Sequence, residues 1–170
     1  LLIRQRRLAM NLDFQITPKQ QLFMDTDAFE VLYGGAAGGG KTFIQALDAL
    51  VYALRYQGSR QLILRRTFKE LERSMELYPA SVASYNTSKH IWKVGRSTIE
   101  MGYIATEGDV QQYQSAEYDV IRFDEMTHFT ERMYTYMISR VRGTRPFPRH
   151  VKSTANPGSV GHTNAKSRFI

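Results

Sequence analysis

The chain has 170 residues, of which 42% are hydrophobic and 23% charged, with a formal net charge of +7 and no cysteine. That length suits one domain with a sizeable core. No segment approaches the roughly 20 apolar residues of a membrane-spanning helix, and the lack of cysteine excludes disulfides, Cys-ligated zinc and a cysteine nucleophile. The basic excess fits a polyanionic partner as well as a solvated basic surface. Its concentration in "LILRRTFK" and "SRVRGTRPFPRHVK" favours ligand contact, because both stretches adjoin predicted strand ends. His90, His128, His150 and His162 show no metal-ligand spacing.

In chain order, "LLIRQRRLAMNLDF" has three arginines and no apolar stretch after them, so no signal peptide is expected. It lacks an initiator Met and reads as the interior of a longer chain. "FEVLY" (Phe29–Tyr33) is a short β-prone run. "KTFIQALDALVYALRYQG" places Phe43, Leu47, Leu50 and Leu54 at helical spacing, with Gly58 as the stop. "QLILR" (Gln61–Arg65) is a second strand. Thr67 and Glu70 then have capping-box spacing for a helix whose apolar face is Phe68, Leu71 and Met75.

"HIWKVGRSTIEMGYI" predicts a hairpin turning at Gly95-Arg96, an insertion or an antiparallel edge. "YDVIRF" (Tyr118–Phe123) is a buried strand. Alternation puts its Arg122 on one face, toward a partner or the sheet edge, and assigns it no role. "TERMYTYMISRVRG" is a helix with Met133, Met137 and Val141 on one stripe and Gly143 after it. "RHVKST" (Arg149–Thr154) is a further strand that runs into "ANPG". Strands alternating with helices predict an α/β three-layer fold around a mainly parallel sheet. Fewer strands are countable than such a fold usually has, so a C-terminal portion is expected to be absent.

Gly35-Ala36-Ala37-Gly38-Gly39-Gly40-Lys41-Thr42 satisfies G-x-x-x-x-G-K-[ST] between a strand and a helix. Successive backbone N–H groups must wrap a β-phosphate, and side chains would block that approach. The following helix aims its positive N-terminal end at the anion. Lys41 can bridge the β- and γ-phosphates, and Thr42 can ligate Mg²⁺. A flexible glycine joint would need neither Lys-Thr nor a strong helix directly behind it. "YDVIRFDEMTHF" then puts Asp124 and Glu125 after a strand. Asp124 suits a Walker B metal ligand, and Glu125 a base that activates water. The plainer reading is a solvated acidic pair in a loop; the phosphate loop upstream argues for the functional one. Adjacent Asp-Glu favours hydrolysis of ATP over transfer to a kinase's acceptor hydroxyl.

With these sites the chain resembles the ATPase domain of the large terminase subunit of tailed bacteriophages, the viral DNA-packaging motor. "TPKQQLF" is similar to the family's adenine-sensing Q motif, with Gln20 as the matching residue. "VLYGGAAGGGKT" is similar to the phosphate loop of one family branch, and "YQSAEYDVIRFDEMTHF" to that branch's Walker B region. "STANPG" is similar to the coupling motif, at Thr154-Ala155-Asn156, although Asn-Pro-Gly alone would signify only a turn. "GHTNAKSRFI" also resembles the family, so the likeness runs from Thr17 to Ile170.

The resemblance implies a P-loop NTPase fold of the ASCE/RecA-like kind. Residues 1–16 form an N-terminal extension, and residues 17–170 a partial ATPase domain. The family's nuclease domain is absent, so no DNA cleavage is expected of this chain alone. The implied function is hydrolysis of ATP, with Mg²⁺, to move double-stranded DNA into a procapsid. The implied partners are that DNA, the portal protein, a small terminase subunit and further copies in a homo-oligomeric ring, without a membrane, in the cytoplasm of the bacterial host. Some terminases carry an arginine inside the phosphate loop, where this chain has only Gly and Ala. Arg140 and Arg142 are the candidates for an arginine finger, supplied in trans by a neighbouring subunit, or else they complement a helix dipole. Arg65 and Arg66 face nucleotide or DNA, or a solvated loop. The alternatives are a non-catalytic prophage remnant, a helicase-like or recombinase-like DNA-dependent ATPase and, more weakly, a nucleotide kinase.

Overall fold

A computed structural model describes residues 2–5, 8–11, 15–35, 40–72 and 76–170. Strands β1 (Leu2–Gln5) and β2 (Leu8–Asn11) form an antiparallel pair of their own. Helix α1 (Pro18–Asp25) opens on a capping box at Thr17 and Gln20 and leads into β3 (Glu30–Gly34). Helix α2 (Lys41–Arg55) and β4 (Arg60–Arg65) follow. The Thr67–Glu70 box caps α3 (Phe68–Glu72): the Glu70 amide donates to Thr67 Oγ1 at 3.3 Å, and the Thr67 amide to Glu70 Oε2 at 3.0 Å. The side chain of Leu71, and Met75 altogether, lie outside the described residues.

Strands β5 (Ser84–Asn86), β6 (Ile91–Val94) and β7 (Ser97–Tyr103) come next. The two-residue turn between β6 and β7 needs the positive φ of 59° that Gly95 supplies. After a 3₁₀ segment the chain forms β8 (Val120–Phe123), α4 (Glu131–Ile138), β9 (His150–Ala155) and α5 (His162–Phe169).

The main sheet has the order β3-β9-β8-β4-β7-β6-β5. Its first five strands are parallel, and β6 and β5 add an antiparallel edge. Residues alternate across it. Leu62 and Leu64 pack with Ile121, Phe123, Met133, Met137 and Ala165 on the α4/α5 face. Ile63, Ile99 and Met101 pack with Ala49, Leu50 and Ala53 of α2 on the other. Leu62 and Leu64 are fully buried, which stabilises by about 1.5–3 kcal/mol each. This is the expected three-layer α/β fold, a P-loop ASCE arrangement, with the predicted hairpin as its antiparallel edge. Because the five strands are parallel, Gly35, Asp124, Asn156 and Arg65 follow strand ends on one side of the sheet.

Three local expectations are corrected. Phe43 is not on the buried stripe of α2 but 44% exposed; Ile44, Leu47, Leu50 and Val51 are buried instead. Helix α4 stops at Ile138, where Arg140 and Val141 turn tightly onto Met137 and Ile138, and Val141 bridges to Tyr118 instead of extending the helix.

The third correction is Arg122. It faces neither a partner nor the sheet edge, because β8 lies mid-sheet, and its side chain is fully buried. Its Nε and Nη2 donate to Asp48 Oδ2 at 3.0 and 2.7 Å, and Nη1 donates to Gln61 Oε1. Lys152 Nζ takes the other Asp48 oxygen at 2.8 Å and also donates to the carbonyls of Phe23 and Met24. One carboxylate on α2 therefore binds cations from β8 and β9. Burial holds the Lys152 ammonium below the usual lysine range, and Asp48 opposes that shift.

Candidate active site

Strand β3 delivers Gly34 and Gly35 to the edge of the sheet, and α2 begins six residues later at Lys41. Ala36, Ala37, Gly38 and Gly39 of the predicted phosphate loop lie outside the described residues. Gly40 ends the loop with φ 64° and ψ 24°. The positive φ favours glycine, and a Cβ there would sit 3.0 Å from Gln20 Nε2. Lys41 is buried, and its Nζ donates to Gly35 O at 3.1 Å, spanning the base of the loop. Thr42 is exposed and opens into a cleft of about 320 Å³ that it lines with Arg65, Glu70, Leu77, Asp124 and Glu125.

Asp124 is fixed from two strands. Its amide donates to Leu64 O of β4 at 2.9 Å, and its Oδ1 accepts from Thr154 Oγ1 of β9 at 3.2 Å. Arg65 Nε stands 3.3 Å from Oδ2, a charge contact that lacks the alignment of a hydrogen bond. Burial pushes the Asp124 carboxyl above the usual carboxylate range, against the pull of Arg65 and of the Thr154 hydroxyl.

Glu125 takes a left-handed backbone, φ 57° and ψ 64°, which turns it away from the strand direction. Its amide donates to Thr154 Oγ1 at 3.2 Å. Its carboxylate is gripped at both oxygens by Asn156, through the backbone amide at 3.0 Å and Nδ2 at 2.8 Å. Thr154 and Asn156 thus hold both acidic residues. Ala155 lies in register with Gly34, directly before the phosphate loop.

The donor set suits Mg²⁺. Asp124 is a desolvated carboxylate and Thr42 an accessible hydroxyl on the same cleft, both hard oxygen donors.

The profile of a family described as "Terminase large subunit, T4likevirus-type, N-terminal" matches residues 32–160, more than half of the chain. The chain belongs to this terminase family. Solved structures agree on the fold. The large terminase of a thermophilic bacteriophage matches with a TM-score of 0.70 at 13% identity, over 92% of this chain and 43% of that one. The large terminase ATPase domain of Thermus phage P74-26 matches with a TM-score of 0.58 at 15% identity, over 86% and 67%. The large terminase of bacteriophage HK97 gives 0.61 at 10% identity, over 86% and 34%. The chain therefore spans less than half the length of the first and third of these terminases. The first has also been solved with ADP and with ATP-gamma-S. Comparison with curated proteins gives no match.

Within this terminase domain, Gln20 reaches the exit of the phosphate loop. It is 7% exposed, its Nε2 lies beside Gly40 and its Oε1 accepts from the Thr17 amide at 2.9 Å. Gln20, Gly35, Gly40, Lys41, Thr42, Asp124, Glu125, Thr154, Ala155 and Asn156 all belong to one side of the sheet. Arg140 and Arg142 do not. They follow α4 at the start of β8, roughly 20 Å from Asp124 at ordinary strand rise. Arg140 donates to Gln114 O and Ser139 Oγ and lies over the Tyr136 ring, 5.2 Å from its centroid. Arg142 stands 3.9 Å from Glu117.

Arg65, the last residue of β4, enters the cleft, whereas Arg66 after it donates to the carbonyls of Ile104 and Ala105. Sequence reasoning passes over Gln45, whose Nε2 donates to Phe123 O at 3.0 Å. It lies in an apolar-periodic helix, and nothing local marks its partner.

Proposed function

We propose that the chain is the ATP-hydrolysing motor domain of a phage terminase, turning hydrolysis into movement of double-stranded DNA into a procapsid. One observation carries the reading: Thr42, Asp124 and Glu125 line a single cleft, where Thr154 bonds to both acidic residues and Asn156 holds the Glu125 carboxylate. Family membership and the nucleotide complexes of the thermophilic bacteriophage's large terminase support it.

In this reading the triphosphate lies over residues 35–42, with backbone N–H groups and the start of α2 facing its oxygens. Lys41 leaves Gly35 O to neutralise β- and γ-phosphate charge. Thr42 and Asp124 hold Mg²⁺, which supplies Lewis-acid stabilisation of the phosphate oxygens when bound. Glu125 orients the attacking water and accepts its proton, and this requires it to turn from the Asn156 grip toward the phosphate. Gln20, beside Gly40, contacts the adenine. Thr154-Ala155-Asn156 carry the change at the phosphate into the segment beyond β9. Arg140 and Arg142, remote from this chain's own cleft, serve a neighbouring copy in a ring. The portal, the small terminase subunit and DNA complete the assembly in the host cytoplasm.

The test is ATP turnover by wild type and Glu125→Ala, each alone, with DNA, and with DNA and portal. Wild type should exceed the variant by at least about 10²-fold under the best condition. A wild type no faster than the variant in every condition would refute the motor reading and favour a chain that binds nucleotide without turning it over.

A further inference from the structure

Helix α2 carries three polar side chains along one face, Gln45, Asp48 and Tyr52, at spacings of three and four residues. All three are buried, where hydrocarbon would pack as well and cost no desolvation. Each reaches β8 or the neighbourhood of β9. Gln45 Nε2 donates to Phe123 O at 3.0 Å. Asp48 binds Arg122 and Lys152. Tyr52 donates its hydroxyl to Pro148 O at 2.5 Å. These are the strands whose ends carry Asp124-Glu125 and Thr154–Asn156.

Gln45 is the tie nearest the site. It follows Thr42 by three residues, on the same helical face, and its partner carbonyl is the one immediately before Asp124. The Phe123–Asp124 peptide is thereby fixed by α2 and by β4 through Leu64 O, and the Asp124 carboxylate by β9 through Thr154. Of these three links, the one from α2 sets where Asp124 stands relative to the helix turn bearing Lys41 and Thr42.

We infer that Gln45 is a positioning residue for the metal–nucleotide site: its side-chain amide sets Thr42 and Asp124 at the separation that lets both hold one cation. It touches neither phosphate nor metal and acts through the Phe123–Asp124 peptide. The inference rests on the Mg-nucleotide reading above and adds to it the residue that makes the two protein ligands a pair.

The experiment measures binding of a fluorescent ATP analogue at increasing Mg²⁺ to wild type, to Gln45→Met, which keeps the volume but removes the donor, and to Leu50→Ala, an apolar control on the same helix. Thermal unfolding is followed in parallel. Gln45→Met should raise the Mg²⁺ concentration for half-maximal enhancement about fivefold, as loss of one hydrogen bond implies, and leave Mg-free nucleotide affinity unchanged. Leu50→Ala should lower the unfolding temperature without moving the Mg²⁺ midpoint. If Gln45→Met does not fold, Gln45→Asn, which keeps an amide too short to reach Phe123 O, takes its place with the same expected shift. A Gln45 variant with the wild-type Mg²⁺ midpoint, or one that shifts it no more than Leu50→Ala does, overturns the inference alone. A wild type whose nucleotide binding ignores Mg²⁺ overturns the metal–nucleotide reading and this inference with it.

Discussion

Asp48→Ala removes the one carboxylate shared by Arg122 and Lys152. Arg122 keeps Gln61, and Lys152 keeps the carbonyls of Phe23 and Met24, so both cations stay hydrogen-bonded but lose their counter-charge. Breaking a buried pair from one side costs about 3–5 kcal/mol. With an unfolding entropy of about 2.1 cal/mol/K per residue, this chain should lose about 8–14 °C of Tm. The cost also depends on pH. Without Asp48 the folded-state pKa of Lys152 falls further below its unfolded value. The unfolded chain then binds more protons than the folded one, so the variant gains stability as pH rises, by up to about 1.4 kcal/mol per unit. Between pH 7 and 9 the Tm gap to wild type should therefore narrow, by no more than about 8 °C. Differential scanning calorimetry of both proteins across that range reads the gap directly. A deficit below about 3 °C that does not change with pH would refute the claim that Asp48 neutralises the two cations.

Thr154→Val removes the hydroxyl that serves Asp124 and Glu125 together; urea unfolding should show a loss of about 1–3 kcal/mol. Gly161→Ala should be worse than Gly102→Ala in thermal melts. A Cβ at Gly161 meets Phe129 O at 2.3 Å and Thr127 O at 3.0 Å, which are backbone, whereas at Gly102 it meets only side-chain atoms, the Tyr113 hydroxyl first at 2.2 Å. Arg168→Ala removes the pairing that chiefly holds Glu30 below the usual glutamate range. Its folded pKa is depressed, so the stabilisation is present above the unfolded pKa of about 4.5 and disappears as pH falls through the folded value. Partial exposure limits it to about 1 kcal/mol, and the two melting curves should converge in acid.

The parts of the site that a local pattern can carry are legible in the sequence. Lys41 and Thr42 open α2 and Asp124 follows β8, as the sequence pattern places them, and Thr67–Glu70 closes its own turn. The parts that depend on strand order are not. Arg122 and Asp48 are 74 residues apart and pair only because β8 lies mid-sheet, opposite α2. Gln45 is hidden for the same reason, its acceptor being a backbone carbonyl 78 residues away. The buried stripe of α2 starts one residue later than its apolar spacing suggests, at Ile44 and not Phe43, because spacing alone does not say which side of the helix meets the sheet. The early stop of α4 reflects competition: Val141 gains a bridge to Tyr118 that a longer helix would forfeit.

Strand β9 lies between β3 and β8 and is bonded along both edges as far as Ala155 on one side and Ser153 on the other. Sliding it would break two ladders at once, so it behaves as a fixed rail. Beyond it the chain leaves the ladders: Asn156 is its first residue and is held by Glu125 and Thr127 instead, and Gly158 and Ser159 follow at φ 105° and 69°. In the proposed motor reading, movement handed on from the phosphate would therefore start where the ladders end. Thr154 would stay with the sheet, and Asn156 would move once its grip on Glu125 opened.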